Sequence, residues 1–487
     1  MARETKVALA LVGSALALGV LGDVLFQGEP LGLNVAVWAA AFVATLTTLL
    51  RISRAPLHQG RRYMVAPLLV FAALFVWHDS PLLVVANLLA LAAALTMGAL
   101  RRTRPRLRTA TLSDYGGGMI AAGCSMLAGA LPLLMSDIRW RELAGGARSE
   151  KAAAVARGVA IGLPFLLVFG ALFVAADAVF GQLLSAAVPS FGSATVERAL
   201  IVLLWAWLAG GLLRDLLAAR EDARLVRADP VDWFRARLGA VEVAVALFIL
   251  DLLFLAFVVV QFRYLFGGST LVESEAHLTY AEYARHGFFE LVTVTALTLP
   301  LLLLADWALR GEDRRAFRWL AAALLALLGV VIASALQRMR LYMQHYGLTE
   351  LRVYATGLIL WLAVVCGWFA LTVLRGRRHA FAVGALVTGF AATLALNVLN
   401  PDALIARTNV TRPVVDASYL AGLSDDAIPT LVGRISRLPV QQRSQLARAL
   451  LAREPAAGDW RAWNVSRSRA VRALREHHAE LEALAGG

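Results

Sequence analysis

Long runs of apolar residues dominate this sequence and restrict the folds open to it. A helix needs roughly 20 apolar residues to cross the hydrocarbon core of a bilayer. By that criterion about eleven or twelve runs are candidates. The clear ones are Val7–Phe26, Gly32–Leu50, Tyr63–Trp77, Pro81–Leu100, Gly158–Gln182, Val196–Leu213, Leu238–Phe262, Phe288–Leu309, Trp319–Leu336, Val353–Leu374 and Phe381–Val398. The pattern predicts an all-α, polytopic transmembrane helical bundle with a small soluble helical C-terminal tail.

Composition supports a membrane protein. Hydrophobic residues make up 59% of the 487 residues, charged residues 17%, and the mean hydropathy is +0.67. No soluble domain of this length has such a composition. The first apolar run is long for a signal peptide and lacks a small-x-small cleavage site, so we interpret it as an uncleaved anchor.

The net charge of +13 would suit a nucleic-acid partner, but its distribution does not. Arginines cluster in short loops between the apolar runs, as the positive-inside rule describes, and no concentrated basic domain is present. The loops 51–62, 101–108, 310–318 and 375–378 are therefore predicted to be cytoplasmic. The loops 23–34, 78–80 and 267–281 are predicted to be extracytoplasmic. These features predict a multi-pass membrane protein, with the lipid bilayer as partner and no nucleic acid.

The chain divides by composition into three parts. Residues 1–135 form an N-terminal membrane region, residues 136–398 a transmembrane core, and residues 399–487 a polar helical tail of two or three helices. Ser424, followed by two aspartates, is typical of a helix start. Within the first part, Thr109–Met135 is too short to cross twice, and basic loops flank it. It either re-enters the membrane, which we favour, or crosses once and leaves one basic loop outside.

The number of membrane crossings predicts that three polar segments of the chain lie on the same face of the membrane. Phe288–Leu309 pairs with Trp319–Leu336, and Val353–Leu374 pairs with Phe381–Val398, so the segments before, between and after these pairs share a side. We expect that side to be extracytoplasmic. The candidate ligand-binding residues there are Arg263, Tyr280, Glu282, Tyr283, Arg285, Glu290, Arg338, Arg340, Tyr346, Glu350, Arg352, Asn400, Arg407 and Asn409. They form either a structural lock of Arg–carboxylate pairs or a pocket for an anionic lipid or headgroup.

Acidic residues within the apolar runs are a second kind of candidate. Such residues form ion or proton relays in transporters. Asp177 and Asp251 are the better buried candidates, because Glu242 and Asp306 lie near the ends of their runs. Interhelical hydrogen bonding is the structural alternative.

Other chemistry has little support. Cys124 and Cys366 lie in apolar segments and cannot form a disulfide framework or a zinc site. The histidines at 277, 286 and 345 match no metal motif, and no phosphate loop or nucleophile elbow is present. We therefore predict no metal and no cofactor, and the sequence leaves open whether the protein is an enzyme.

Several blocks resemble a bacterial membrane family known only as domain of unknown function 4173, with its relative 4153. The matching residues are Arg157-Gly158, Pro164, Phe169–Leu172, Ala176-Asp177, Phe180, Phe266–Gly268, Thr279–Arg285, Gly287-Phe288, Tyr346–Glu350, Arg352, Asn400-Pro401, Ile405–Arg407, Asn409, Tyr419-Leu420, Leu423-Ser424, Asp426-Ala427, Trp460-Arg461 and Asn464. The resemblance implies a multi-pass protein of the bacterial cytoplasmic (inner) membrane. It supplies an architecture and no activity.

The sequence thus predicts a membrane protein that binds, senses or scaffolds at its extracytoplasmic face. Two other classes remain open. One is a many-span, lipid-linked glycosyltransferase, for which Asp23 near the first outer loop would be the catalytic acid. The other is a secondary transporter that uses Asp177 and Asp251, which inverted repeats would favour. The oligomeric state is not predicted.

Overall fold

A computed structural model describes residues 3–53, 59–99, 112–138, 193–217, 239–266, 288–309, 314–453 and 459–486, together with positions 155, 158 and 162. Within these ranges the chain is helical and contains no strand. The helices of the apolar region are α1 (Arg3–Phe26), α2 (Leu33–Ile52), α3 (Gln59–Leu74), α4 (Pro81–Ala99), α5 (Leu112–Ala128), α6 (Ser193–Leu217), α7 (Ala240–Phe266), α8 (Phe288–Ala308), α9 (Arg315–Tyr346), α10 (Glu350–Thr372) and α11 (His379–Leu399).

The C-terminal helices are shorter. They are α12 (Pro401–Asn409), α13 (Ala417–Gly422), α14 (Ile428–Val432), α15 (Val440–Leu451), α16 (Val465–Glu476) and α17 (His478–Gly486). Single 3₁₀ turns lie at Ile435–Arg437 and Trp460–Ala462. The prediction of two or three helices in this tail was therefore too low, because helices of five to nine residues are too short to show a hydrophobic period.

Nine described helices are long and apolar enough to cross a membrane, which confirms the predicted all-α polytopic class. Their outward faces carry large apolar side chains; Val241, Leu253 and Val259 on α7 are 75%, 63% and 61% exposed. Such a surface is unfavourable in water and suits lipid. Apart from positions 158 and 162, the predicted span Gly158–Gln182 lies outside the described residues.

The segment predicted to re-enter or to cross contains a sharp bend. Tyr115–Ala128 and Ala130–Asp137 meet at 50°, and the second part ends in a π-helical turn, Leu133–Asp137. Such a pair is either a broken span or a re-entrant loop, so both alternatives stay open. At the end of this segment, the Arg214 guanidinium of α6 donates to both carboxylate oxygens of Asp137, at 2.6 and 3.1 Å.

The chain forms two compact units. The first comprises Met1–Trp77, Val84–Arg224 and Ala457–Val465, and the second comprises His78–Leu83, Leu225–Ala456 and Ser466–Gly487. The three-part division drawn from composition stays a prediction. In the first unit α1 packs against α6 and α2. In the second, α7 and α8 pack against α9, and α9 against α10, around a core that includes Leu302, Leu328 and Phe369.

The C-terminal helices of the second unit have a separate hydrophobic core. It includes Ile405, Leu420, Leu431 and Leu446, each at most 1% exposed. Helix α12 begins at Pro401 after Asn400, whose side chain accepts from the Ala403 N–H at 3.2 Å. Asp416 caps α13 by accepting from the Tyr419 N–H at 2.9 Å. These caps fix where the short helices start.

Candidate functional site

The turn between α9 and α10 is joined to the end of α12. Gly347 has φ of +79°, a conformation that glycine adopts at no steric cost. The Asn409 side chain accepts from the Leu348 N–H at 2.9 Å and donates to the Leu348 carbonyl at 2.8 Å. A Cβ at Gly347 would lie 2.8 Å from Asn409 Oδ1, so this joint requires glycine. Two of the three predicted polar segments therefore meet: the one between the two helix pairs, which contains Leu348, and the one after them, which contains Asn409.

Arginines complete the same joint by binding carbonyl groups. Arg412 donates to the carbonyls of Gln344 and His345 at 2.6 and 2.7 Å, and Arg352 donates to the Gly347 carbonyl at 2.6 Å. The Arg352 guanidinium also lies 4.1 Å from the ring centroid of Tyr342. Cations at the C-terminal end of α9 satisfy carbonyls that lack a helical partner and favour the helix dipole.

A cluster of buried carboxylates lies beside this joint; we call it the acid cluster and define it as His78, Ser80, Asp402, Ser424 and Asp426. Asp426 is its centre. Its Oδ1 lies 2.6 Å from His78 Nδ1, and its Oδ2 accepts from the N–H groups of Asp79 and Ser80 at 2.8 and 3.0 Å. The side chains of His78 and Asp426 are only 3% and 2% exposed. The segment before α4 is thus bound to the segment before α14.

Asp402 is the second carboxylate of the cluster and is fully buried. The Ser424 hydroxyl donates to its Oδ2 and lies 3.4 Å from Asp426 Oδ2. Among the described residues, no group donates to Asp402 Oδ1. Ser424 therefore bridges two acids instead of capping a helix, which corrects the prediction of a helix start there; α14 begins at Ile428 with no side-chain cap.

The pKa values of the two carboxyl groups shift in opposite directions. Burial raises the pKa of Asp402 above its usual value, and the charge of Asp426 raises it further, against the Ser424 hydrogen bond. Burial acts the same way on Asp426, but the hydrogen bond and charge of His78 and the Asp79 N–H outweigh it and hold the pKa of Asp426 below its usual value. Of the two carboxyl groups, Asp402 is thus the one that accepts a proton at the higher pH.

Ion pairs and phenols surround the cluster. Arg467 of α16 pairs with Asp79, and Arg453 pairs with Asp425 at 3.4 Å. Burial raises the pKa of both aspartates despite these arginines. The Tyr354 hydroxyl lies 3.3 Å from Ser80 Oγ, and the Tyr419 hydroxyl accepts from the Glu350 N–H at 2.9 Å.

The predicted site residues divide into three groups. Tyr346, Glu350, Arg352, Asn400 and Asn409 belong to the joint or to the acid cluster's surroundings; Asn400 Nδ2 lies 3.3 Å from Asp426 Oδ1. Arg340, Arg407 and Glu290 are exposed, and Arg338 is buried within α9. Tyr280, Glu282, Tyr283, Arg285 and Asp177 lie outside the described residues, as does the side chain of Arg263. The predicted pairs of Arg263 or Arg285 with Glu282, Glu290 or Glu350 stay predictions.

The sequence alone did not identify five residues of this site: His78, Ser80, Tyr354, Ser424 and Asp426. One signal could have found the first two, because residues 78–80 were already predicted to share a face with the three polar segments. Asp426 was missed because a run of serine and two aspartates is more often a cap.

Aspartates elsewhere show different environments. Asp306, near the end of α8, pairs with Arg314 at 2.7 Å and Arg378 at 2.9 Å, so two loops predicted to be cytoplasmic meet at one residue. Asp23, in the last turn of α1, accepts from Arg198 Nε and Nη2, both at 3.2 Å. Asp251 is buried in α7, and no described residue donates to either of its oxygens. The described residues include no group of three or more His, Cys, Asp or Glu arranged to hold a metal.

Fold and composition together define a multi-pass α-helical membrane protein. The family model described as Domain of unknown function (DUF4153) matches residues 65–433, most of the chain, and the protein belongs to that family. The matched range includes the whole acid cluster and the α9–α10 turn. No curated protein and no solved structure matches the chain.

Proposed function

We propose that this protein binds, senses or scaffolds at the extracytoplasmic face of a bacterial inner membrane, through the short helices α12–α15 that the acid cluster holds in place. One observation carries the proposal. Asp426 accepts hydrogen bonds from His78 and from two backbone N–H groups, 346 to 348 residues away, and the side chains of Asp426 and His78 are buried. Such a contact fixes the position of the C-terminal helices with high directional specificity.

The contacts of the acid cluster favour a structural role for Asp426, which holds the C-terminal helices, and a responsive role for Asp402, whose protonation can change. Both Asp426 oxygens are taken by donors of the protein itself. Asp402, in contrast, has one oxygen without a described donor, and burial raises its pKa. A change in protonation or occupancy at Asp402 would alter the charge beside Asp426 and so the attachment of α12 and α14.

Complementation of a deletion strain tests this proposal. Asp426→Asn should release the segment before α14, raise amide exchange over residues 400–453 in nanodiscs, and abolish the phenotype that the wild-type protein restores. Asp425→Asn, at the neighbouring and more exposed ion pair, is the matched control and should retain both. Full complementation by Asp426→Asn at wild-type membrane levels, with exchange raised, would refute the proposal.

A transporter is the second candidate, and Asp251 is the observation that favours it. A buried intramembrane carboxyl without a described donor is costly and tends to mark a pathway. Proteoliposomes with an internal pH dye would test it. Asp251→Asn should abolish proton uptake under this candidate, and it should leave complementation intact if the scaffold or sensor proposal is correct.

A further inference from the structure

A short C-terminal segment, residues 459–465, is attached to the ends of apolar helices in the first unit. Arg461 Nη1 donates to the Val24 carbonyl near the end of α1 at 2.6 Å. The Leu33 N–H, at the start of α2, donates to the Trp463 carbonyl at 3.0 Å. The contact is close, because a Cβ at Gly32 would lie 2.8 Å from the carbonyl oxygens of both Ala462 and Trp463.

The same segment reaches the residues that follow α3. Asn464, which is 1% exposed, donates from Nδ2 to the Phe75 carbonyl at 2.8 Å, and the Val465 N–H donates to the Val76 carbonyl at 2.8 Å. All of these partners lie where α1 and α3 end and where α2 begins. Residues 459–465 are therefore at the level at which these apolar helices leave the hydrocarbon.

Three indole side chains are exposed at this level. Trp77 follows the bonded Val76, and Trp460 and Trp463 lie in the attached segment; their exposed fractions are 43%, 59% and 47%. Tryptophan concentrates at the membrane–water interface, where the ring contacts lipid and the N–H reaches polar groups. Three exposed indoles beside bonded helix ends are hard to account for in water and fit a bilayer interface.

We infer that Trp77, Trp460 and Trp463 form an interfacial surface that inserts between lipid headgroups, so that residues 459–465 rest on the bilayer. The partner is the headgroup region of the lipid itself. Polar side chains of the segment bind protein groups; Arg461, for example, lies 2.6 Å from Asp459 of the same segment and 3.2 Å from Glu29. The exposed parts of the three indoles are the surface available to lipid.

Depth-dependent quenching of tryptophan fluorescence tests the inference on the full chain in phosphatidylcholine nanodiscs. The protein has 12 tryptophans, so each contribution is obtained as the difference between wild type and one variant, Trp77→Phe, Trp460→Phe or Trp463→Phe. The fluorescence lost in each variant should be the part quenched by lipids brominated near the headgroup, and aqueous iodide should quench it weakly. Trp361→Phe, midway along α10, is the depth control and should remove fluorescence quenched by lipids brominated near the chain end.

Strong iodide quenching of the Trp460 component, without quenching by shallow brominated lipid, would overturn the inference. Preferential quenching by deep bromines would overturn it as well, because the indole would then lie within the hydrocarbon. Trp460 is the most exposed of the three indoles, so Trp460→Phe supports the test even if Trp463→Phe fails to fold.

Discussion

The C-terminal polypeptide is attached to the apolar helices in two chemically different ways. In the second unit, residues 400–453 are held by the acid cluster, in which buried carboxylates meet a histidine, a serine and backbone N–H groups. In the first unit, residues 459–465 are held mainly by neutral groups, with backbone bonds at Leu33 and Val76 and the amide of Asn464. The first attachment depends on charge and therefore on pH, whereas the second depends on shape.

The difference determines what each attachment costs to break. A buried ionised group that loses its partner keeps its desolvation penalty and leaves the partner uncompensated. A neutral hydrogen bond that is lost costs only the desolvation of one polar group, about 1–3 kcal/mol. The acid cluster should therefore be the more sensitive attachment to a single substitution.

The largest expected effect is that of Asp426→Ala. The substitution removes the acceptor for His78 and for the N–H groups of Asp79 and Ser80, all in a buried setting. We expect the free energy of unfolding of the second unit to fall by about 3–5 kcal/mol, as found when one partner of a buried pair is deleted. Denaturant titration in detergent measures it.

Asp425→Ala, one residue earlier, is the matched control. Asp425 and its partner Arg453 are each 29% exposed, and their closest atoms are 3.4 Å apart. A partly exposed pair with such a long contact contributes little, at most about 1 kcal/mol, so this variant should unfold close to wild type. Equal losses of unfolding free energy in the two variants would show that the acid cluster stabilises the fold no more than a partly exposed ion pair does.

A smaller effect is expected at the neutral attachment. Gly32→Ala places a methyl group 2.8 Å from two carbonyl oxygens of the segment 459–465, and backbone atoms cannot turn away as a side chain can. We expect a loss of about 1–3 kcal/mol, typical of overpacking, with the same loss at pH 5 and pH 7. Gly13→Ala in α1, where a Cβ meets nothing within 4 Å, is the control and should be neutral or slightly stabilising. A pH-dependent loss in Gly32→Ala would erase the contrast between the two attachments.

Much of the fold could be predicted from the sequence. Apolar runs of about the length of a bilayer crossing identified the nine long helices that the structure describes, because lipid leaves few alternatives to a helix. Tyr63–Trp77 was also predicted to span, but the apolar helix there, Tyr63–Leu74, is shorter than a crossing. Counting crossings also placed Tyr346–Glu350 and Asn400–Arg412 on one face, and the structure joins them through Asn409 and Arg412. The short helices α13 and α14 could not be predicted. They are too short to show a hydrophobic period, and their ends are set by caps and tertiary contacts.

The acid cluster could be predicted only in part. His78 and Asp426 are 348 residues apart, and no local pattern in either segment indicates the other. Arg352 was expected to pair with a carboxylate, yet it binds a carbonyl at the end of α9, as Arg412 does, because the last carbonyls of that helix lack helical partners. The sequence shows which side chains are charged. Which group each of them binds is known only from the tertiary structure.

The smallest expected effect is the pH dependence of the acid cluster. The pKa of Asp402 is raised in the fold by burial and by Asp426, so the folded state binds its proton more tightly than the unfolded state does. Acidification from neutrality through this raised pKa should therefore stabilise the fold, with the gain complete below the unfolded value of roughly 4. Asp426 has the opposite sign: its stabilising contribution is present above roughly pH 4 and is lost as the pH falls through its lowered pKa. Stability should thus rise and then fall on acidification.

Asp402→Asn separates the two halves of that profile. The side chain keeps its size and can no longer take up a proton, so the rise should shrink to the part that other acids supply. Asp79 and Asp425, whose pKa values burial also raises, are among them. The fall at lower pH, which belongs to Asp426, should remain. Glu482→Gln, at an exposed position in α17, is the control and should keep both halves. Thermal unfolding of the three proteins across the acid range would measure this, and an undiminished rise in Asp402→Asn would show that Asp402 does not supply it.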